Sequence, residues 1–258
     1  MAMNKPIRDW RGLRVWIIGA SDGIGAALVQ SLGEKGARVA LSARNAEALA
    51  QVAQEAALED RLIYPLDITD APALQAAANA IVAAWGGLDL VLHVAGTYVP
   101  MRAKRFDLET AIKITDVNIV GVYNMLAAVL PILHTQGSRG VGIVGSVAGY
   151  SGLPKALVYG PSKAALINLC ESLYIDMHPK DLGVYMISPG FVRTRLTSVN
   201  DFTMPALIEA PEAADYIVKG LERGDFDIHF PKRFSRLLKF LRILPYPAYF
   251  WLLRKLGL

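Results

Sequence analysis

The sequence predicts an α/β fold, a doubly wound parallel sheet with helices on both faces, built as a single domain with a helical C-terminal extension. Three observations predict it. Short apolar runs alternate with alanine-rich helical stretches along most of the chain. Those runs lack the in–out alternation of a strand with one wet face, so both of their faces are buried, as in a parallel sheet. No composition break or internal repeat separates the repeating units, so they belong together.

Taken in order, residues 14–18 form the first expected strand, followed by glycines and a helix to about Gln30. Residues 38–42 are the second strand and 46–58 a helix. Residues 62–66 are the third strand, 73–85 a helix and 88–94 the fourth strand. A long helix follows over 107–133, then a strand at 141–144, a helix at 163–177 and a strand at 184–187. Residues 191–211 are less regular and fall where a substrate lid would lie. Residues 1–13 form an N-terminal arm, 14–230 the α/β body and 231–258 a basic extension.

Composition narrows the function classes. At 53% hydrophobic and 19% charged residues, the chain has the opposite balance to a disordered one. The single cysteine, Cys170, excludes an internal disulfide framework and a multi-cysteine metal site. His93, His134, His178 and His229 lack metal-ligand spacing, so no metal is expected. The first 13 residues carry Lys5, Arg8, Asp9 and Arg11 without an apolar core, so no secretory signal is expected and a cytoplasmic body is. Residues 117–138 are uncharged and long enough to cross a bilayer. Asn118, Gly121, Asn124, Pro131 and Gln136 interrupt them, which fits a buried helix better.

After the first strand comes Gly19-Ala20-Ser21-Asp22-Gly23-Ile24-Gly25. Glycines let a backbone turn sharply and approach a pyrophosphate, while the next helix aims its N-terminal amides at the same point. A strand before the motif and a helix after it supply the context that a dinucleotide site requires.

With its GxxxGxG spacing, this turn resembles that of the short-chain dehydrogenase/reductase family. Further matches follow in that family's order: Asp67 and Ile68 after the third strand, Ala95-Gly96 after the fourth, Tyr159-Gly160-Pro161-Ser162-Lys163 as YxxxK, and Pro189-Gly190-Phe191-Val192-Arg193-Thr194 as PGxVxT. The resemblance covers about 14–228. It implies a Rossmann-like sheet with a seventh strand near 225–230 and an oxidoreductase acting between C=O and CH–OH. By the same resemblance Tyr159 is the acid/base and Lys163 its activator. Ser146 holds the substrate oxygen, and Asn118 supports a proton relay. Asp67 contacts the adenine region and Thr194 the nicotinamide carboxamide, with Pro189, Gly190 and Val192 around the ring. One departure stands out: His93-Val94 replaces the two asparagines that usually precede Ala-Gly, and His93 is expected to be a packed strand histidine.

The second strand ends at Ser42-Ala43-Arg44. A carboxylate there would bind the ribose hydroxyls of NAD, whereas an arginine suits the 2′-phosphate of NADP. NADP (NADPH) is therefore favoured over NAD. Asp22, where many NADP-dependent relatives carry a base, is expected to cap the first helix. An unperturbed tyrosine titrates near ~10. Lys163, one helical turn from Tyr159, is expected to lower that value together with the positive nicotinamide.

Residues 228–258 hold seven Lys/Arg and no acid, while 1–227 hold 20 Lys/Arg and 23 Asp/Glu. Phe234, Leu237, Leu238, Leu241 and Leu244 are spaced three and four apart, with Lys232, Arg236 and Lys239 opposite them. Such a helix fits the plane of an anionic membrane, making the protein peripheral. Packing on a second subunit in a homo-oligomer, or closing over the site as a cavity wall, also fits. Nucleic acid does not, because the aromatics lie within an apolar stripe. The apolar lid residues Phe202, Met204, Leu207 and Ile208 point to a small lipophilic ketone or alcohol as substrate. A 3-oxoacyl-thioester reductase and a non-catalytic NADP-binding membrane adaptor are the alternatives.

Overall fold

A computed structural model describes residues 2–137 and 139–255. Seven strands, β1 (Arg14–Ile18), β2 (Arg38–Ser42), β3 (Leu62–Ile63), β4 (Leu90–His93), β5 (Gly140–Val144), β6 (Gly183–Pro189) and β7 (Asp227–Phe230), form one sheet. Its order is β3-β2-β1-β4-β5-β6-β7 and every pairing is parallel. Strand order reverses between β1 and β4, and in open parallel sheets such a switch point leaves a crevice at the carboxyl ends of the strands.

Period-two geometry sorts the buried side chains between the faces. Trp16 and Ile18 of β1 join Val91, Val141 and Val184 in the core beneath α3 (Ala71–Trp85), α5 (Gly121–Gln136) and α6 (Tyr159–Met177). Val15 and Ile17 join Val39, Leu90 and Ile187 beneath α1 (Gly23–Glu34), α2 (Ala46–Glu55) and α7 (Ala210–Arg223). The one polar atom of Trp16 is satisfied in this core, its Nε1 donating to Ser42 Oγ at 3.0 Å.

Several elements differ from expectation for identifiable reasons. The third strand pairs only over Leu62–Ile63. Tyr64 and Leu66 still donate backbone N–H groups to Leu41 and Ala43, but Pro65 between them has none to give. The long helix comprises α4 (Leu108–Thr115), a π turn at Asp116–Val120, and α5. It is long and apolar enough to cross a membrane. Val122, Met125, Val129 and Leu133 are nonetheless sealed against the sheet. Helix α6 begins at Tyr159, not at residue 163, which places the tyrosine at its first turn.

The N-terminal arm lies across the edge of β6. The side-chain amide of Asn4 donates to the Val184 carbonyl at 2.8 Å and accepts from the Val184 N–H at 3.1 Å. Ile7 and Trp10 are buried beneath it.

The extension folds back on the body as α8 (Lys232–Arg242) and α9 (Tyr246–Lys255). Leu238, Leu241, Tyr249 and Leu253 enter the core, with Phe234 and Leu244 packed against it. Two members of the expected helix faces are exchanged. Leu237 is exposed, and Lys239 turns inward to pair with Asp227 and to lie over the Tyr150 ring. The inward carboxylate of β7 sets that rotation, and Ser235, which bonds His229 at 2.7 Å, fills the contact line in place of Leu237.

Candidate active site

The crevice at the switch point is a cleft of about 560 Å³, within the usual range of ligand pockets. Its floor is the glycine turn. Gly19 adopts φ +95°, and a Cβ built there would lie 2.4 Å from the Ala95 nitrogen. A Cβ on Gly25 would lie 1.9 Å from the Gly19 carbonyl oxygen. Both glycines are therefore required for α1 to approach β1 and β4, and Gly23 lies against the methyl of Thr194. Gly19, Ser21, Asp22, Ile24, Arg44, Asp67, Ile68, Ala95, Gly96, Ser146, Tyr159, Lys163, Pro189, Gly190, Val192 and Thr194 all line the cleft, whereas Gly23, Gly25 and Asn118 stand behind it.

Tyr159 opens α6 and Lys163 projects from the same face one turn along it. The Lys163 ammonium donates to the Val144 carbonyl at 3.0 Å, joining α6 to the end of β5. Its Nζ lies 5.7 Å from the centre of the Tyr159 ring. Burial brings Lys163 down to about 8. Burial pushes Tyr159 up to about 12, opposed by a hydrogen bond with Ser146. The expected lowering of Tyr159 is thus not achieved by Lys163 in the protein alone, because the ammonium is bonded to Val144 and not to the phenol. Ser146 lies two residues past β5 and caps a short helical turn, Val147–Gly149, where its Oγ accepts from the Ala148 N–H at 3.1 Å. That turn is pressed onto α6 at Gly149, whose Cβ would meet the Lys163 carbonyl carbon at 2.7 Å.

Asn118 sits in the π turn, fully buried. Its Oδ1 accepts from the Thr97 N–H at 2.8 Å, and its Nδ2 donates to the Thr97 carbonyl and to Ser162 Oγ, each at 3.0 Å. These bonds clamp the segment after β4 to α6. Both Asn118 Oδ1 and Lys163 Nζ lie 3.4 Å from where a Gly96 Cβ would be, so glycine leaves them room to approach.

Residues 14–203 match the family model for short chain dehydrogenase. The chain belongs to the short-chain dehydrogenase family. It is 36% identical over 235 residues to an oxidoreductase of Myxococcus xanthus, covering 90% of this chain and 93% of that one. It is 31% identical over 205 residues to an oxidoreductase of Staphylococcus epidermidis, covering 80% of this chain and 89% of that one. Among solved structures it is similar to a Burkholderia cenocepacia short chain dehydrogenase in complex with NADP, with TM-score 0.83 and 25% identity over 95% of this chain and 99% of that one. A short-chain type dehydrogenase/reductase of Mycobacterium marinum aligns with TM-score 0.79 and 26% identity over 86% of this chain and 95% of that one. This chain is thus a short-chain dehydrogenase-type oxidoreductase.

As a short-chain dehydrogenase the chain departs from expectation at Asp22. It occupies the N-cap position of α1 but makes no side-chain cap bond. Its carboxylate instead pairs with Arg195 at 2.9 Å, drawn across the mouth by a full charge. On the other side Arg44 is 73% exposed and only 3.9 Å from Asp67. Asp67 already accepts from the N–H and hydroxyl of Thr69, at 2.9 and 2.7 Å. Those bonds, with help from Arg44, hold its carboxyl below the usual range.

His93 is the packed strand histidine expected from the sequence. It is fully buried, neither ring nitrogen has a partner among the described residues, and burial with the nearby Lys163 charge drives it down to about 3. Despite the missing family asparagine, Val94 and Ala95 keep their N–H groups on the Ile18 carbonyl, at 2.7 and 2.9 Å. Two contributors escaped the sequence. Tyr98 meets the Tyr159 ring edge-on at 4.9 Å, in a segment that carries no motif. Ser162 donates to the Tyr159 carbonyl at 2.8 Å and links Tyr159 to Asn118. Its signal was a small polar residue within the YxxxK turn.

Proposed function

We propose that the chain is an NADP-dependent oxidoreductase that interconverts a ketone and a secondary alcohol, on a lipophilic substrate. The observation that carries this reading is the convergence of Ser146, Tyr159 and Lys163 on one wall of the glycine-floored cleft. The residues fit a dinucleotide: Gly19 and Gly25 leave no space for a side chain, and the exposed α1 N-terminus faces the same cleft. When bound, a nicotinamide supplies or accepts the hydride. Gly19 to Gly25 would hold the pyrophosphate, and Thr194, Pro189, Gly190 and Val192 the nicotinamide end.

Ser146 donates a hydrogen bond to the substrate oxygen and steadies its developing charge. Tyr159 Oη gives its proton to that oxygen during reduction and takes it back during oxidation. Lys163 holds a positive charge beside the phenol and anchors α6 to β5. Asn118 ties Thr97, after β4, to Ser162 in the first turn of α6. Cofactor preference rests on β2: Ala43 and Arg44 end it without a carboxylate, and Arg195 neutralises the one acid in the glycine turn. The lipophilic substrate is supported by Tyr98, Val192, Leu196 and Val199, which line the cleft, whereas Phe202, Met204, Leu207 and Ile208 do not line it.

Turnover of NADPH against NADH across a panel of ketones of rising chain length tests the reading. Oxidation of NADPH that is faster than that of NADH and rises with ketone length is expected. No ketone-dependent oxidation of either cofactor would leave a nucleotide-binding protein without this activity. We further infer self-association through α4 and α5, where Leu108, Ile112, Val120 and Tyr123 lie exposed along one continuous helix. Light scattering that returns the monomer mass at micromolar concentration would overturn it.

A further inference from the structure

The two helices of the extension have a side that the protein body does not use. Inward, Leu238, Leu241, Tyr249 and Leu253 are buried, and the Tyr249 hydroxyl donates to the Gly152 carbonyl at 2.5 Å. Outward, Leu237, Phe240, Ile243, Tyr246, Phe250 and Trp251 are 55%, 56%, 75%, 77%, 52% and 56% exposed. Six large apolar side chains are thus exposed within 15 residues of chain, with Tyr246 and Phe250 stacked at 5.9 Å, a concentration that monomeric proteins seldom leave to water. Arg233, Arg236, Arg242, Arg254 and Lys255 are exposed around it, and none has a carboxylate partner among the described residues. Among the described residues, Lys239 is the extension's cation with a carboxylate partner, Asp227.

We propose that α8 and α9 form a docking surface for an anionic lipid bilayer, lying in its headgroup plane. Charge complementarity selects this occupant. A patch ringed by unpaired cations and free of acid matches phosphate headgroups, with the apolar side chains reaching the acyl boundary. A second copy meeting the same patch by two-fold symmetry would set these cations against their own duplicates. Tyr246, Trp251 and Phe250 are of the aromatic types that favour the interface, and Lys255 Nζ sits 4.8 Å over the Trp251 ring.

Docking there bears on the cleft. The Phe234 ring of α8 lies 5.8 Å from that of Phe191, and a Gly190 Cβ would be 3.0 Å from Phe234. Phe234 of α8 thus lies directly behind Gly190, which lines the cleft. A lipophilic substrate would reach the cleft from the lipid; this part alone rests on the function proposed above.

Trp251 provides the test. Trp10, Trp16 and Trp85 are buried, so it is the one tryptophan whose emission a bilayer can change strongly. The full chain is mixed with phosphatidylcholine vesicles with or without phosphatidylglycerol. Flotation and tryptophan emission are read, alongside NADPH oxidation with a water-soluble ketone. The expected result is flotation with a blue shift on phosphatidylglycerol vesicles, weakened by salt. Replacing Leu237, Phe240, Ile243 and Phe250 together by Ser should lower vesicle affinity by about tenfold or more, with soluble-ketone turnover unchanged. If that variant does not fold, Ile243→Ser with Tyr246→Ser, the two most exposed positions, decides in its place. Failure of the parent chain to float, or substituted chains binding as tightly, overturns the proposal. So does a concentration-dependent dimer that the same substitutions abolish without any vesicle binding. Loss of turnover alone would count against the proposed function and leave the docking surface standing.

Discussion

Asn118 Nδ2 donates to Ser162 Oγ at 3.0 Å, across 44 residues of sequence. Ser162 passes the connection to the Tyr159 carbonyl at 2.8 Å, so a buried amide in a π turn braces the first turn of α6. Asn118→Ala leaves both backbone groups of Thr97 without their partner. A loss of about 1–3 kcal/mol is expected, from the cost of stranding buried polar groups. Ser162→Ala should cost less, since Asn118 keeps its bonds to Thr97. Urea unfolding of the two variants checks the order; equal stabilities would show that the clamp is not used.

Tyr159→Phe removes one oxygen atom from a partly exposed ring. Unfolding stability should change little, while ketone reduction drops by about 10²–10⁴-fold, the usual share of a positioned proton donor. Full turnover in this variant would sink the acid/base assignment.

The two titrations give the pH profile a direction. Burial keeps the Tyr159 phenol protonated up to about 12 and lets Lys163 lose its proton near about 8. Ketone reduction needs the phenol proton, which neutral solution supplies, so its rate should be level at neutral pH and fall above about 8 as the ammonium is lost. Initial rates across that range check this; a reduction rate that climbs with pH would contradict it.

His93 makes the fold sensitive to acid. Its value is lowered from 6.5 to about 3, so below 6.5 the unfolded chain binds a proton that the folded chain refuses. Stability is therefore intact above 6.5 and declines as pH falls from there toward 3. At pH ~5 the loss is about 2 kcal/mol. His229, lowered to about 4, adds to the same trend, so the comparison of parent with variant isolates His93. His93→Leu should flatten the acid limb of a stability–pH curve; an unchanged limb would show the imidazole is not responsible.

Arg44→Asp places a carboxylate where the 2′-phosphate of NADP would lie. The ratio of kcat/KM for NADPH over that for NADH should fall by about tenfold or more. An unchanged ratio would defeat the cofactor assignment.

Most of the sheet was legible because its strands are written as unbroken apolar runs. Residues 14–18 and 38–42 were bounded correctly at both ends, flanked as they are by turn residues. Residues 62–66 were not, because pairing there depends on Pro65 against β2 and not on hydrophobicity. The cleft residues were legible through motifs whose spacing is fixed by turns. Tyr98 was not, since its contact with Tyr159 comes from a loop position that no periodicity marks. The bond partners of Asp22 and Lys239, namely Arg195 and Asp227, lie 173 and 12 residues away, and a helical wheel cannot display them.

The Asn4 clasp on Val184 has a temporal consequence. The two residues are 180 positions apart, and Met3 and Asn4 also bond the Gly224 carbonyl, at 3.1 and 2.9 Å. A ribosome releases the arm long before it makes β6 or the turn at Gly224. Contacts of such sequence separation close slowly, because the intervening loop must be ordered first. The arm thus ties the two ends of the chain together, so cutting it would release the start of β6 and the turn at Gly224 at once.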